Sequence, residues 1–273
     1  MSGMAPRGEL LLQVRGLSKR FSGITAVDDV SFDVREGEVF TLIGPNGAGK
    51  TTVFNIISRI YEPSAGHIDY GSATQPLRLT GLPAHRTAEL GIARTFQNIE
   101  LFENASVLQN LLIGRHARRR TGPWADFFFT PLARRAEIEA REAVEDVIDF
   151  LELARYRDVR VAALPYGVRK VVELGRALCA EPRLLLLDEP SSGLNVEETQ
   201  DMAFWIHDIR DRRGITVLMV EHDMGLVSQV SDTVLAMDHG AALALGTPAT
   251  VQADPRVIEA YLGAAAMPAA SEA

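Results

Sequence analysis

The sequence holds a single cysteine, Cys179. That excludes an internal disulfide and fits a reducing compartment. Its helical surroundings read as those of a small buried apolar residue. Excess positive charge is also missing. There are 28 Lys and Arg against 36 Asp and Glu, a net charge of −8, so the surface as a whole does not advertise nucleic-acid binding. No apolar run approaches the ~18 residues that span a bilayer. The opening "MSGMAPRGELLLQVRG" has a three-leucine run but no signal-peptide core. We therefore expect a cytosolic chain, or one held at a membrane only through a partner. There is no internal repeat. The final "AAAMPAASEA" is small and polar and reads as a disordered tail, 264–273.

What is present is an alternation of short apolar strands with helices. "LLQVRGL" and "VSFDV" alternate in strand fashion, "EGEVFTLIG" is a turn feeding a buried strand, and "GHIDY" is another short strand. Continuous apolar runs return in "RLLLLDEP", "ITVLMVEHD" and "TVLAMDHGA". Such strands separated by helices predict a mostly parallel sheet covered on both faces. Between them, from about Pro83 to Leu164, the chain reads as mostly helical, with Ala140, Val144, Val147, Ile148 and Leu151 recurring on one face. The expectation is an α/β core with a helical insertion, which 273 residues accommodate.

The strongest motif is "GPNGAGKTT", Gly44, Pro45, Asn46, Gly47, Ala48, Gly49, Lys50, Thr51 and Thr52, set between a strand and a helix. Its glycines let backbone N–H groups converge on phosphate oxygens at a helix N-terminus. Lys50 is placed to reach β- and γ-phosphates, and Thr51 to offer its hydroxyl to Mg²⁺. Asp188 ends the run "LLLLD", where a carboxylate is costly unless paired or near a metal, so it belongs with the Mg²⁺. Glu189 follows, outside the strand, and can orient or deprotonate an attacking water. His222 ends another apolar run at the edge where parallel sheets bind ligands, which favours a γ-phosphate contact over a structural role. Glu221 and Asp223 beside it read as solvated acids.

Together these residues resemble the ATP-binding-cassette (ABC) ATPases, over about Leu10 to Gly263. The resemblance implies one domain, 8–263: a P-loop core with an antiparallel β-subdomain, about 8–82 and 165–263, and a helical subdomain, about 83–164. It implies ATP and Mg²⁺ as cofactors. It also implies that Gln97 in "RTFQN" contacts Mg²⁺ or water and a membrane subunit, that His222 is the histidine switch, and that "SSGLN", Ser191 to Asn195, follows the metal-binding strand. Phe21 fits the aromatic that stacks on adenine, although an alternating strand also buries aromatics. "LPYGV", with Tyr166 and Gly167, stands where the family carries its Leu-Ser-Gly-Gly-Gln signature. Pro165 there has neither hydroxyl nor N–H, Val168 replaces the glutamine, and Asn195 replaces an aspartate.

The stretches "GIARTFQNIELFENASVLQNLLIG", "DEPSSGLN", "EHDM" and "GTPATVQADPRVIEAYLG" are similar to the ATPases of branched-chain amino acid importers. That resemblance implies a second, non-identical ATPase or a homodimer, two membrane permeases, an external solute-binding protein, no nucleic acid, and a peripheral place on the cytoplasmic face of the plasma membrane. A lipopolysaccharide-export ATPase is the competing transporter reading, though such chains keep a serine-glycine-glycine signature. A soluble ABC protein of translation or repair usually has two cassettes, coiled-coil inserts or zinc cysteines. A P-loop kinase needs no such turn, and a GTPase needs an Asn-Lys-x-Asp base reader that is absent here.

Three points remain as expectations. Arg169 and Lys170 lie in the first turn of a helix, the end that disfavours cations, and a partner's triphosphate would offset them. The signature contact would rest on backbone groups around Gly167. The basic and aromatic run Arg115 to Pro131 reads as a solvated charge run beside aromatics that plug the insertion, with lipid headgroups or a partner loop as the alternative.

Overall fold

The computed structural model describes residues 8–72, 74–95, 99–115 and 131–266. The chain opens with a long hairpin, β1 (Leu10–Phe21) and β2 (Ile24–Arg35), turned by Ser22 and Gly23. Both turn residues have positive φ, 42° and 96°, as a two-residue turn that keeps the strand twist requires. β4 (Ala65–Tyr70) and β5 (Leu77–Arg78) extend this hairpin into a four-stranded antiparallel sheet of order β2-β1-β4-β5.

The second sheet has six strands in the order β10-β9-β3-β8-β7-β6. β3 (Val39–Ile43), β6 (Ile92–Arg94), β7 (Leu184–Asp188), β8 (Thr216–Val220) and β9 (Thr233–Asp238) run parallel, and β10 (Ala241–Gly246) closes the edge antiparallel to β9. β3, β7 and β8 are buried at every position, which is why their sequences carry no polar alternation. Successive side chains still point to opposite faces. Leu185 and Leu187 pack with the helices on one side, while Leu184 and Leu186 pack with the antiparallel sheet and α1 (Lys50–Ile57) on the other. Burying each of these leucines stabilises by about 1.5–3 kcal/mol, so the strand that delivers Asp188 is anchored on both faces.

The insertion contains α3 (Val107–Arg115) and α4 (Pro131–Phe150), joined to the core through α5 (Tyr166–Leu178). α2 (His85–Glu89) precedes β6. Val144, Val147, Ile148 and Leu151 are buried, as their spacing predicts. The expected insertion boundary near residue 83 is corrected: Ile92–Arg94 pairs with Leu184–Leu186 and belongs to the core sheet. Three residues are too few for a strand period to register in the sequence. α6 (Val196–Arg213) follows β7, and α7 (Met224–Val230), α8 (Pro248–Gln252) and α9 (Pro255–Ala266) complete the chain. α9 continues three residues past the expected end at 263. Cys179 is buried, and burial pushes its thiol up to about 12.

Candidate nucleotide site

β3 delivers the chain to Gly44, and α1 begins at Lys50. The loop between them turns on Gly44, Gly47 and Gly49, all with positive φ. At Gly44 and Gly49 a side chain is excluded by close approach as well, since a Cβ would overlap the backbone oxygens of Met237 and Ala26 respectively. α1 starts on Gly49 with no side-chain cap and no acid in its first turn, so its leading N–H groups are left for an anion. Asn46, Gly47 and Thr51 are exposed, Pro45 and Thr52 half-exposed, and Ala48 is buried.

Lys50 is buried, and its ammonium donates to the carbonyls of Gly44 at 2.6 Å and Pro45 at 3.0 Å. Burial lowers its pKa from the ordinary lysine value, and the carboxylates of Glu189 and Asp188 pull it back up. One lysine thus feels both acids, which places the phosphate loop and the end of β7 in a single site.

Asp188 is 2% exposed. Its Oδ2 accepts from Arg94 at 2.7 Å, while Oδ1 is buried with no hydrogen-bond partner. An oxygen left in that state costs about 1–3 kcal/mol, and it is the donor that a hard divalent cation takes. Among the described residues no group of three or more His, Cys, Asp or Glu gathers to hold a metal without help.

Glu189 is half-buried and adopts φ 49°, a left-handed conformation uncommon outside glycine. Its N–H donates to Val220 at 3.0 Å, and its carboxylate lies 3.9 Å from Nδ1 of the exposed His222. The acid and the imidazole expected at the γ-phosphate are therefore neighbours at the carboxyl ends of β7 and β8. Phe21 is 37% exposed and meets Tyr61 edge-on at 5.2 Å, with the Lys19 ammonium 4.9 Å from its ring. Its ring is open on the surface, as a stacking platform requires and a core aromatic does not.

Comparison with known proteins agrees with this geometry. Residues 27–192 match the family model described as "ABC transporter", more than half of the chain. The chain belongs to the ABC transporter ATPase family. A second model, "Branched-chain amino acid ATP-binding cassette transporter", matches residues 243–266 of the cassette. The cassette is 41% identical over 255 residues to the high-affinity branched-chain amino acid transport ATP-binding protein BraF of Pseudomonas aeruginosa, covering 93% of this chain and 98% of that one. It is 39% identical, with the same coverage, to LivG of Escherichia coli, which carries the same description. A crystal structure of the ADP conformation of an ATP-binding cassette of an ABC transporter superposes with a TM-score of 0.80, at 30% identity over 93% of this chain and 99% of that one.

The signature turn is wired within the cassette itself. Pro165 is the N-cap residue of α5 and supplies no cap. Tyr166 is exposed; its hydroxyl donates to Ser192 O at 3.4 Å, and a Cβ at Gly193 would come within 2.8 Å of its ring. Gly167 is buried, and a Cβ there would overlap the carboxylate of Glu198. Glu198 in turn closes a capping box with Asn195, each side chain accepting at 3.0 Å from the other's N–H. Asparagine caps as well as aspartate, so the departure at 195 costs α6 nothing.

Two readings are corrected. Arg169 and Lys170 need no triphosphate to offset them. Arg169 donates to Leu164 O at 3.0 Å and Ala162 O at 2.7 Å, and Lys170 turns inward to Glu189 O at 3.2 Å. Glu221 and Asp223 are not simply solvated acids. Glu221 is fully buried and accepts from the N–H groups of Ser191, His222 and Asp223 at 2.8–3.2 Å, while Asp223 caps α7. Sequence reasoning missed Arg94, Glu198 and Tyr61 in the site, and misread the partners of Lys170 and Glu221. The surviving signals were an arginine in "IARTFQ" and charges inside apolar helical and strand patterns. Gln97 and residues 116–130 of the basic run lie outside the described residues. Arg115 is described, and pairs with Glu181 at 2.7 Å.

Proposed function

We propose that this ABC ATPase powers an importer of branched-chain amino acids or a related small polar solute. It would act as one of two ATPases beneath two membrane permeases served by an external binding protein. The match of residues 243–266 to the branched-chain amino acid cassette model is the observation that carries the solute class. No helix among the described residues is long and apolar enough to cross a membrane, which accords with a peripheral subunit on the cytoplasmic face.

In this reading ATP lies with its adenine on Phe21 and its phosphates in the loop Gly44–Thr52. Lys50 exchanges its two loop carbonyls for β- and γ-phosphate oxygens. The buried free oxygen of Asp188, the Thr51 hydroxyl and Gln97 would hold Mg²⁺, which when bound neutralises charge on the phosphoryl oxygens. Glu189 orients the attacking water and accepts its proton, and its fixed backbone keeps the carboxylate from wandering. His222, 3.9 Å from that carboxylate, lies where it can donate to the γ-phosphate. Tyr166, Gly167 and the first-turn amides of α5 face the nucleotide of a second ATPase, so that ATP joins the pair and hydrolysis releases it.

The test is uptake of radiolabelled leucine, isoleucine and valine by cells lacking the cassette and by the same cells complemented with it. Uptake restored by the wild type and not by Lys50→Ala supports the reading. Unchanged uptake of all three in the deletion strain, with another solute lost, overturns the solute class and leaves the ATPase assignment standing.

A further inference from the structure

Lys170 is a buried cation that the proposed chemistry does not use. It is 4% exposed and lies three residues after Gly167, on the helix whose first turn would face a partner's nucleotide. A charge in such a place is costly, and an apolar side chain of similar volume usually serves a core as well. Its surroundings offset part of that cost. Burial lowers the pKa of Lys170 from the ordinary lysine value, and the carboxylates of Glu173, Glu221, Glu189 and Asp188 pull it part of the way back up. Its ammonium donates to the backbone oxygen of Glu189 at 3.2 Å.

That carbonyl belongs to the residue with the left-handed backbone, φ 49°. Such a conformation is disfavoured by about 1–3 kcal/mol and persists where its surroundings over-determine it. Among the described residues, three backbone contacts contribute. The Glu189 N–H is held by Val220 O, and the carbonyl accepts from Ser192 N at 3.1 Å and from Lys170. The first two come from the strand and loop next to Glu189 itself. The third comes from the signature helix. Tyr166 on Ser192 and Gly193, and Gly167 on Glu198, make the rest of that helix end contiguous with the same loop. Of Tyr166, Gly167 and Lys170 on that helix, Lys170 is the one with a hydrogen bond to Glu189.

We propose that Lys170 is a positioning residue that fastens this chain's hydrolytic glutamate to its own signature helix. Engagement of that helix on the partner's nucleotide and alignment of Glu189 for this chain's nucleotide then become one event. The two ATP sites of the assembled pair are coupled through it within a single chain. This rests on the proposed role of Glu189 and of the signature turn.

The experiment uses Lys170→Met, which keeps the volume and removes charge and donor, and Lys170→Arg, which keeps both. Each is made in the full chain assembled with its transporter partners. Expected for Lys170→Met is a kcat for ATP lowered by about tenfold or more, as loss of a charge-assisted hydrogen bond allows. KM and ATP affinity should stay within about twofold, and the ATP-concentration dependence should lose cooperativity. Lys170→Arg should recover most of the turnover. Adding Lys170→Met to Glu189→Gln should lower residual turnover no further, because the lysine acts through the glutamate. A lowered melting temperature with unchanged kcat per folded complex would make Lys170 a packing residue and overturn the proposal. So would additive loss in the double variant, or a Lys170→Arg that folds but rescues nothing. If Glu189→Gln alone turns over at the wild-type rate, it is the role of Glu189 that fails, and the Lys170 proposal falls with it.

Discussion

The guanidinium of Arg94 lies 2.7 Å from the carboxylate of Asp188, where the two side chains keep 9% and 2% of their surface. The same guanidinium donates to Asn55 Oδ1 at 2.7 Å on α1 and to Ser58 Oγ at 2.9 Å at its C-cap, and it sits over the Phe54 ring. One side chain thus fixes the helix after the phosphate loop against the Asp188 carboxylate, and leaves Oδ1 without a hydrogen-bond partner. Removing one member of a buried pair costs about 3–5 kcal/mol. Arg94→Met should lose that much stability in urea unfolding and should lower ATPase activity steeply. Arg94→Met with Asp188→Leu should regain most of the stability and none of the activity.

Lys50 gives a pH prediction. Its pKa in the free protein is lowered by burial. Phosphates favour the charged form, so the lysine is more protonated with ATP bound than without. At alkaline pH, ATP binding should take up protons. Affinity should fall as pH rises through a value below the ordinary lysine range. Calorimetry of ATP binding in buffers of different ionisation enthalpy reads the uptake directly, and Lys50→Met should abolish it.

Gly167 and Glu198 should behave as a pair. Gly167→Ala puts a methyl into the Glu198 carboxylate and opens the capping box of α6, costing about 1 kcal/mol of stability. Glu198→Ala loses the box by itself. The double variant should be no less stable than Glu198→Ala, a non-additivity that a double-mutant cycle in thermal unfolding measures.

Phe21→Ala should weaken ATP binding by about tenfold, in the range that base–aromatic stacking contributes, with kcat at saturation unchanged. Tyr61→Ala should have a smaller effect, through the orientation of Phe21. Fluorescence titration with ATP checks both. A loss of stability without a loss of affinity would return Phe21 to the role of a packing residue.

Wherever one local rule governs a position, the site was legible in the sequence. The glycines of the phosphate loop answer to backbone geometry, and Asp188 and Glu189 to their place after four leucines. His222 answers to the edge of a parallel sheet. The misses are residues whose partners lie far along the chain. Arg94 meets Asp188 across 94 positions and Asn55 across 39. Lys170 reads as a first-turn cation offset by a partner's triphosphate until the fold turns it under Glu189. Glu221 reads as solvated because it ends a strand, yet its three backbone donors lie on both sides of the site. β6 is invisible for a related reason, since three residues pair by register with β7 rather than by any pattern of their own.

Loss of the Glu189 carboxylate distinguishes a hydrolytic site from a nucleotide-binding platform. The most direct test is single-turnover cleavage of ATP by the assembled complex carrying Glu189→Gln. ATP affinity should stay within about twofold of wild type, and the cleavage rate should fall by about 100-fold or more, as loss of a positioned base implies. Cleavage at the wild-type rate with ATP normally bound would contradict it.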